Sequence, residues 1–121
     1  MADALNWFEI PVANMDRALK FYNKILGMTM NADEAMSGFK MAMFPVEGGV
    51  SGALLQGEGY APSMKGTLVY LNGGDDLATV LDEVEGAGGK VLGPKTDIGE
   101  HGFVGYFADT EGNKVGLHSM G

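Results

Sequence analysis

The chain has 121 residues, of which 45% are hydrophobic, and this is enough to bury the core of one compact domain. Eight lysines and arginines against sixteen acidic residues give a net charge of −8, which argues against nucleic acid as a partner. There is no cysteine and no long apolar run, so we expect no disulfides, no thiolate metal ligands and no membrane partner.

The amino-terminal residues lack the charged and apolar regions of a signal peptide, and with the missing cysteines this predicts a cytoplasmic location. The acidic residues are dispersed along the chain, which is typical of a solvated surface. A second interpretation, an acidic cavity that attracts a cationic ligand, stays open.

The first half of the chain predicts one helix among four strands. The apolar residues from Met15 to Leu26 recur with helical spacing, with Asn14 or Asp16 as the N-cap and Gly27 as the helix end. Residues 33–37 are predicted as a loop. The strands of this half are predicted at residues 5–12, 28–31, 38–44 and 50–56.

The second half repeats this pattern after a segment without periodicity, residues 57–66, which we interpret as a linker. A second helical stripe runs from Leu77 to Ala87, with Asp75 or Asp76 as its cap and Gly88-Gly89 as its end. Residues 109–113 are predicted as a turn. The strands of this half are predicted at residues 67–72, 90–92, 102–108 and 114–119.

The two halves match each other at a fixed offset. An offset of 62 aligns Met15 with Leu77, and an offset of 64 aligns Gly52 with Gly116. This internal repeat predicts an α+β fold of two βαβββ modules. We expect a single domain, 1–121, with modules at 1–56 and 67–121 and the linker at 57–66.

These features resemble the vicinal oxygen chelate superfamily, which contains glyoxalase I, the bleomycin-resistance proteins and the extradiol dioxygenases. The resemblance is carried by the helix stretch Asn14–Gly27 and by the turn Asp109–Asn113, and it covers nearly the whole chain. It implies that the sheets of the two modules curl into a cup with the helices outside.

The resemblance also implies where metal-dependent members hold their ion, on the first and last strands of each module. These positions fall on Trp7, Gly52, Thr67 and Gly116, and none of the four is a usual metal ligand. We therefore predict no metal and no other cofactor. We expect ordinary extended backbone at both glycines and, in place of a metal, empty volume for an organic ligand.

Strand residues two apart share a face, and this extends the predicted ligand-binding set. The predicted ligand-binding residues are Trp7, Gly52, Leu54, Thr67, Val69 and Gly116.

Three polar residues are candidates for acid/base chemistry. Glu9 lies two residues after Trp7 and His118 two residues after Gly116, so each is expected to face the cup. A carboxylate near an imidazole can work as an acid/base pair or ligate a metal at a displaced position. His101 lies in a glycine-flanked loop of the kind that often borders a pocket.

Three functions remain open at this point. The first is a small-molecule-binding protein of the bleomycin-resistance type that lacks the metal. The second is an enzyme, a lyase or isomerase related to lactoylglutathione lyase or a dioxygenase relative, that uses Glu9, His101 or His118. The third is an interaction module. We expect a homodimer in each case, because open sheet edges tend to be closed by a partner.

Overall fold

The computed structural model describes residues 3–36 and 38–121, and these form the two predicted βαβββ modules. The elements of the first module are β1 (Trp7–Pro11), α1 (Met15–Leu26), β2 (Ala32–Met36), β3 (Phe39–Met43) and β4 (Ser51–Gln56). Those of the second are β5 (Tyr70–Asn72), α2 (Ala78–Leu81), β6 (Lys90–Asp97), β7 (Phe103–Ala108) and β8 (Lys114–Ser119).

Each module has its own four-stranded mixed sheet, and the two sheets have the same strand order. The orders are β1-β4-β3-β2 and β5-β8-β7-β6, with the first pair of each sheet parallel and the other pairs antiparallel. The predicted α+β class and the duplicated modules are confirmed. Within the described residues, no helix is both long and apolar enough to cross a membrane.

Helix α1 forms where its apolar stripe and its caps predict it. The Asn14 side chain accepts a hydrogen bond from the backbone N–H of Arg17 at 3.1 Å, and Gly27 ends the helix with φ +61°. The stripe packs on both modules, since the ring of Phe21 lies 5.7 Å from the ring of Phe107 on β7. One core therefore joins the two sheets, and each fully buried aromatic side chain contributes about 1.5–3 kcal/mol to it.

The strand predicted at residues 28–31 is absent, and β2 instead occupies most of the segment predicted as a loop. The reason lies in the side chain of Asn23, which donates to Met30 O at 3.2 Å and accepts from Met30 N at 2.7 Å. These bonds occupy the backbone groups that a strand would offer to the sheet. Ser37, the last residue of the predicted loop, lies outside the described residues.

The strand predicted at residues 67–72 shrinks to Tyr70–Asn72. Lys114 at the start of β8 donates its N–H to the carbonyl of Ser63 at 3.3 Å, so the linker fills the place expected for residues 67 and 68. Thr67 and Val69 therefore precede β5 rather than belong to it.

The second helix is shorter and β6 longer than predicted. Helix α2 is followed by a 3-10 turn at Glu85–Ala87, because glycines at 86, 88 and 89 weaken a regular helix. Asp76 still acts as an acceptor at its start, for the N–H of Ala78 at 2.9 Å. The strand predicted at residues 90–92 continues through Pro94, which is accommodated on an outer strand whose register shifts around it.

The turn between β7 and β8 joins the second module to the start of α1. Glu111, whose side chain is 0% exposed, accepts from the N–H groups of Ala13 and Asn14 at 2.9 and 2.8 Å. The guanidinium of Arg17 forms two further hydrogen bonds to the same carboxylate, at 2.7 and 3.1 Å. Desolvation works against the charge, but these bonds hold the pKa of Glu111 below its ordinary value.

Asp109 and Asn113 complete this junction. The hydroxyl of Tyr22 donates to Asp109 Oδ2 at 2.7 Å, and burial, with the Asp109 charge, raises the Tyr22 pKa well above its ordinary value. Asn113 Nδ2 donates to the carbonyl of Pro11 at 2.8 Å. Among the residues whose placement is described, no buried side-chain polar atom lacks a partner.

Replacing Glu111 with glutamine is expected to destabilise the fold by about 1–3 kcal/mol at pH 7, because a charged acceptor of five hydrogen bonds, one of them from the Thr110 hydroxyl, becomes a neutral amide. The folded pKa is lowered, so the stabilisation by the carboxylate is complete above its ordinary value of 4.5 and is lost as the pH falls below it. Urea unfolding of both proteins across this range measures the difference.

Glu47 is the matched control, because it is the repeat counterpart of Glu111 and lies exposed in the turn after β3. Glu47→Gln is expected to leave stability within about 0.5 kcal/mol of the parent. A Glu111→Gln penalty of equal size at pH 3 and pH 7 would contradict the assignment.

Candidate ligand-binding site

The first sheet has a face turned away from the helices, which we call the first open face. Ile10 points into the core, so Trp7 and Glu9 point to the opposite side of β1. The strand register adds the neighbours of these two residues on β4 and β3. The first open face consists of Trp7, Glu9, Met41, Met43, Ser51, Ala53 and Leu55.

Trp7, Glu9 and Tyr60 meet on this face. The indole N–H of Trp7 donates to Glu9 Oε2 at 3.3 Å. Tyr60 comes from the linker, and the nearby Glu9 charge raises the pKa of its phenol. Its ring packs edge-to-face on Phe39, with centroids 5.9 Å apart. Because Glu9 is on β1 and Phe39 on β3, Tyr60 lies across the intervening strand β4.

The second sheet has a corresponding open face with different chemistry. We define the second open face as Tyr70, Asn72, Val104, Tyr106, Gly116 and His118. The hydroxyls of Tyr70 and Tyr106 are 2.7 Å apart, and this hydrogen bond is the main cause that raises the pKa of Tyr70. A cavity of about 730 Å³ lies beside this face and is lined by Asn72, Asp75 and His118, among others.

His118 is held in one tautomer. Its Nε2 lies 2.6 Å from the carbonyl oxygen of His101, and a carbonyl can only accept, so Nε2 carries the hydrogen. In the neutral ring, Nδ1 is then the proton acceptor. His101 supplies only its backbone to this contact, and its own imidazole is exposed, 3.8 Å from Glu100.

The structure does not bring Glu9 and His118 together. Glu9 belongs to the first sheet and contacts Trp7, whereas His118 belongs to the second sheet and contacts the His101 backbone. Within the described part of the chain, no hydrogen bond or ion pair joins the two side chains.

Gly52 and Leu54 lie on the wrong side of the sheet for the predicted cup. Gly52 pairs with Phe8, and Leu54 pairs with Ile10 and is fully buried in the core. Both residues therefore face the helices, opposite to Trp7. The prediction placed β4 one residue out of register, and a one-residue error in strand register moves every side chain to the other face.

The volume expected at the two glycines is occupied. Both have the predicted extended backbone, since neither is among the glycines with positive φ. A Cβ at Gly52 would collide with the carbonyl oxygen and ring of Phe8, and a Cβ at Gly116 would lie 2.6 Å from the ring of Tyr70. Aromatic rings therefore fill the space that we assigned to a ligand.

Thr67 and Val69 line a separate cavity of about 520 Å³ between the modules. Its walls are mostly apolar and include Phe8, Met28 and Phe44. Of the predicted ligand-binding residues, these two alone line this cavity.

Comparisons with known proteins agree with this architecture. The model of the Glyoxalase/Bleomycin resistance protein/Dioxygenase superfamily matches residues 4–117. The chain belongs to this superfamily. It is 30% identical to the "Putative glyoxylase" of Mycobacterium tuberculosis over 93% of its own length, but it spans only 44% of that relative. A glyoxylase-like domain-containing protein of Didymella fabae is 31% identical, with 90% of this chain and 88% of the relative covered.

Solved structures of the superfamily share the fold. A crystal structure of a Zea mays glyoxalase I mutant superposes with a TM-score of 0.71 at 23% identity, over 96% of this chain and 46% of that one. An antibiotic-binding protein from Streptomyces superposes with a TM-score of 0.63 at 24% identity, over 98% of both chains.

The four residues that the resemblance implies for a metal do not fit a divalent ion, and Gly52 faces the opposite side of the sheet from Trp7. Trp7 offers an indole donor, Gly52 and Gly116 offer no side chain, and the hydroxyl of Thr67 is a weak neutral ligand. In residues 3–36 and 38–121, no three His, Cys, Asp or Glu side chains gather where they could hold a metal.

Four aromatic residues on or beside the open faces were not among the predicted site residues: Phe39, Tyr60, Tyr70 and Tyr106. The repeat held a signal for Tyr70, because Phe8 beside Gly52 corresponds to Tyr70 beside Gly116. Tyr60 had no such signal, since it follows the last strand of its module and has no counterpart in the repeat.

The two glycines give a matched pair of substitutions. Gly52→Ala is expected to destabilise the fold by about 1–3 kcal/mol, because the new methyl group meets the backbone of Phe8. Gly116→Ala is expected to cost less, because the Tyr70 ring is 46% exposed and can turn aside. Urea unfolding measures both, and an equal or larger cost at Gly116 would show that the Tyr70 ring is fixed.

Proposed function

We propose that this superfamily member binds a small organic molecule on its open faces without a divalent metal. The observation that carries the proposal is the lack of suitable ligands at the positions that the resemblance implies for a metal: Trp7 offers an indole, Thr67 a hydroxyl and Gly116 no side chain, while Gly52 faces the helices. The open faces combine aromatic and apolar surface with polar groups such as Glu9 and His118, which is typical of sites for organic ligands. The antibiotic-binding relative supports a binding role for this fold.

Only some of the predicted site residues remain candidates for contact with the ligand. Trp7 and Glu9 on the first open face, and Gly116 with His118 on the second, remain candidate contacts. Thr67 and Val69 remain candidates through the apolar cavity between the modules. Gly52 and Leu54 act behind the site, by shaping the sheet. We propose no cofactor and no nucleic-acid partner, and we place the protein in the cytoplasm because it lacks cysteine.

The second candidate function is a lyase or isomerase related to lactoylglutathione lyase. It is favoured by the fixed tautomer of His118, which leaves Nδ1 free to accept a proton beside a cavity. Glu9 is too far removed in the fold to act as its partner, so such a reaction would use His118 with Asn72 or the tyrosine pair.

Protein purified without a histidine tag is expected to carry less than about 0.1 equivalent of zinc, nickel or iron, because a divalent ion needs converging donors. We also expect no lactoylglutathione lyase activity, before or after these metals are added. Elemental analysis and the lyase assay measure both quantities. One equivalent of bound metal, or lyase activity that appears when metal is added, would favour the enzyme and contradict the metal-free proposal.

We further propose that the chain forms a homodimer. Strands β1 and β5 are outer strands of their sheets, and the exposed side chain of Leu5 lies just before β1. Covering this surface favours association.

Light scattering during gel filtration is therefore expected to give twice the chain mass of 12.7 kDa at micromolar concentration. A single-chain mass that persists at several hundred micromolar would refute the dimer. It would leave the ligand-binding proposal intact.

A further inference from the structure

The first open face carries a carboxylate without a cationic partner. The ion pairs of the described residues join Arg17 to Glu111, Lys95 to Asp76 and His101 to Glu100, and none involves Glu9. The neighbours of Glu9 are instead neutral aromatic groups, the indole of Trp7 and the phenol of Tyr60.

No cation from this sheet can neutralise Glu9. The four strands contain a single basic residue, Lys40, and its pairing with Gln56 puts it on the helix-facing side. The open side gains a second carboxylate instead, because Asp33 on β2 pairs with Met41. The whole chain has a net charge of −8, which adds to a negative potential over this face.

The aromatic groups beside Glu9 have the arrangement that suits an organic cation. Trp7 donates a hydrogen bond to the carboxylate and is 39% exposed, so its ring is open to a ligand. Tyr60 also lies near Glu9, and its ring packs edge-to-face on Phe39 at 87°. A cation over such rings is attracted by their negative faces as well as by the carboxylate.

We propose that Trp7, Glu9 and Tyr60 bind the quaternary or methylated ammonium group of a small organic ligand. Aromatic faces are the usual binding surface for quaternary and methylated ammonium groups, and the Glu9 carboxylate beside Trp7 supplies the opposite charge. This inference rests on the proposed binding function and adds the chemical class of the ligand.

The test compares two probes of the same shape, choline and 3,3-dimethylbutan-1-ol, which differ in the charge of one atom. Trp7 is the only tryptophan, so its fluorescence reports binding at this site directly. Choline is expected to bind at least about tenfold more tightly than the neutral alcohol, and more weakly as salt rises from about 50 to 500 mM. Equal binding of the two probes, or no binding of choline, would overturn the proposal.

Two variants distinguish the local effect of the Glu9 carboxylate from the effect of the protein's overall negative charge. Glu9→Gln is expected to weaken choline binding about tenfold or more, whereas Glu47→Gln removes the same charge from the exposed turn between β3 and β4, outside the first open face, and should change binding less than about twofold. Circular dichroism checks that both variants fold. Equal effects of the two substitutions would mean that no local site exists.

One further experiment distinguishes failure of the cation site from failure of the proposed binding function. A panel of neutral aromatic compounds is screened for shifts in the melting temperature of the same protein. If a neutral compound raises the melting temperature and choline does not bind, the cation site is wrong and the binding function stands. If neither class binds, both proposals fail.

Discussion

The contact between the turn at residues 109–113 and the start of α1 is the constraint on which the arrangement of the two modules depends. Glu111 satisfies two backbone N–H groups before the helix and two hydrogen bonds of Arg17, from the other module. A buried carboxylate is costly unless it is paired in this way, so the junction has one stable geometry. The modules are therefore fixed at one end, and their open faces take no part in this junction.

The residues of the junction and those of the open faces are separate sets, and this explains why the superfamily resemblance identifies the fold better than the function. The residues that carry it, on α1 and on the turn, are those that meet in the junction, as Tyr22 and Asp109 do. The open faces lie elsewhere, on strands whose side chains alternate away from the core. Their chemistry can therefore change without disturbing the junction.

Helix α1 and the duplicated sheets could be predicted because their signals are local and repeated. The helical stripe, Asn14 and Gly27 each specify the same boundaries. The faces of Gly52 and Leu54 could not be assigned in this way, because the register between β1 and β4 is set by tertiary packing and a shift of one residue reverses it. The position of Tyr60 could not be predicted from the sequence either, because it depends on a loop that folds back over β4.

The loss of strand 28–31 has the same origin. Its residues have strand propensity, but the backbone N–H and carbonyl of Met30 form hydrogen bonds with the side chain of Asn23 instead of with a neighbouring strand. Side-chain bonds to the backbone compete with regular structure in ways that periodicity does not reveal.

The central claim is that an organic cation binds the first open face of the metal-free protein. Nuclear magnetic resonance of methionine methyl groups tests it most directly, because Met41 and Met43 lie on that face and Met15 and Met30 lie in the core. Adding choline in the presence of a chelator is predicted to shift the first pair and leave the second unchanged. Shifts that appear only after a divalent metal is added would contradict the account.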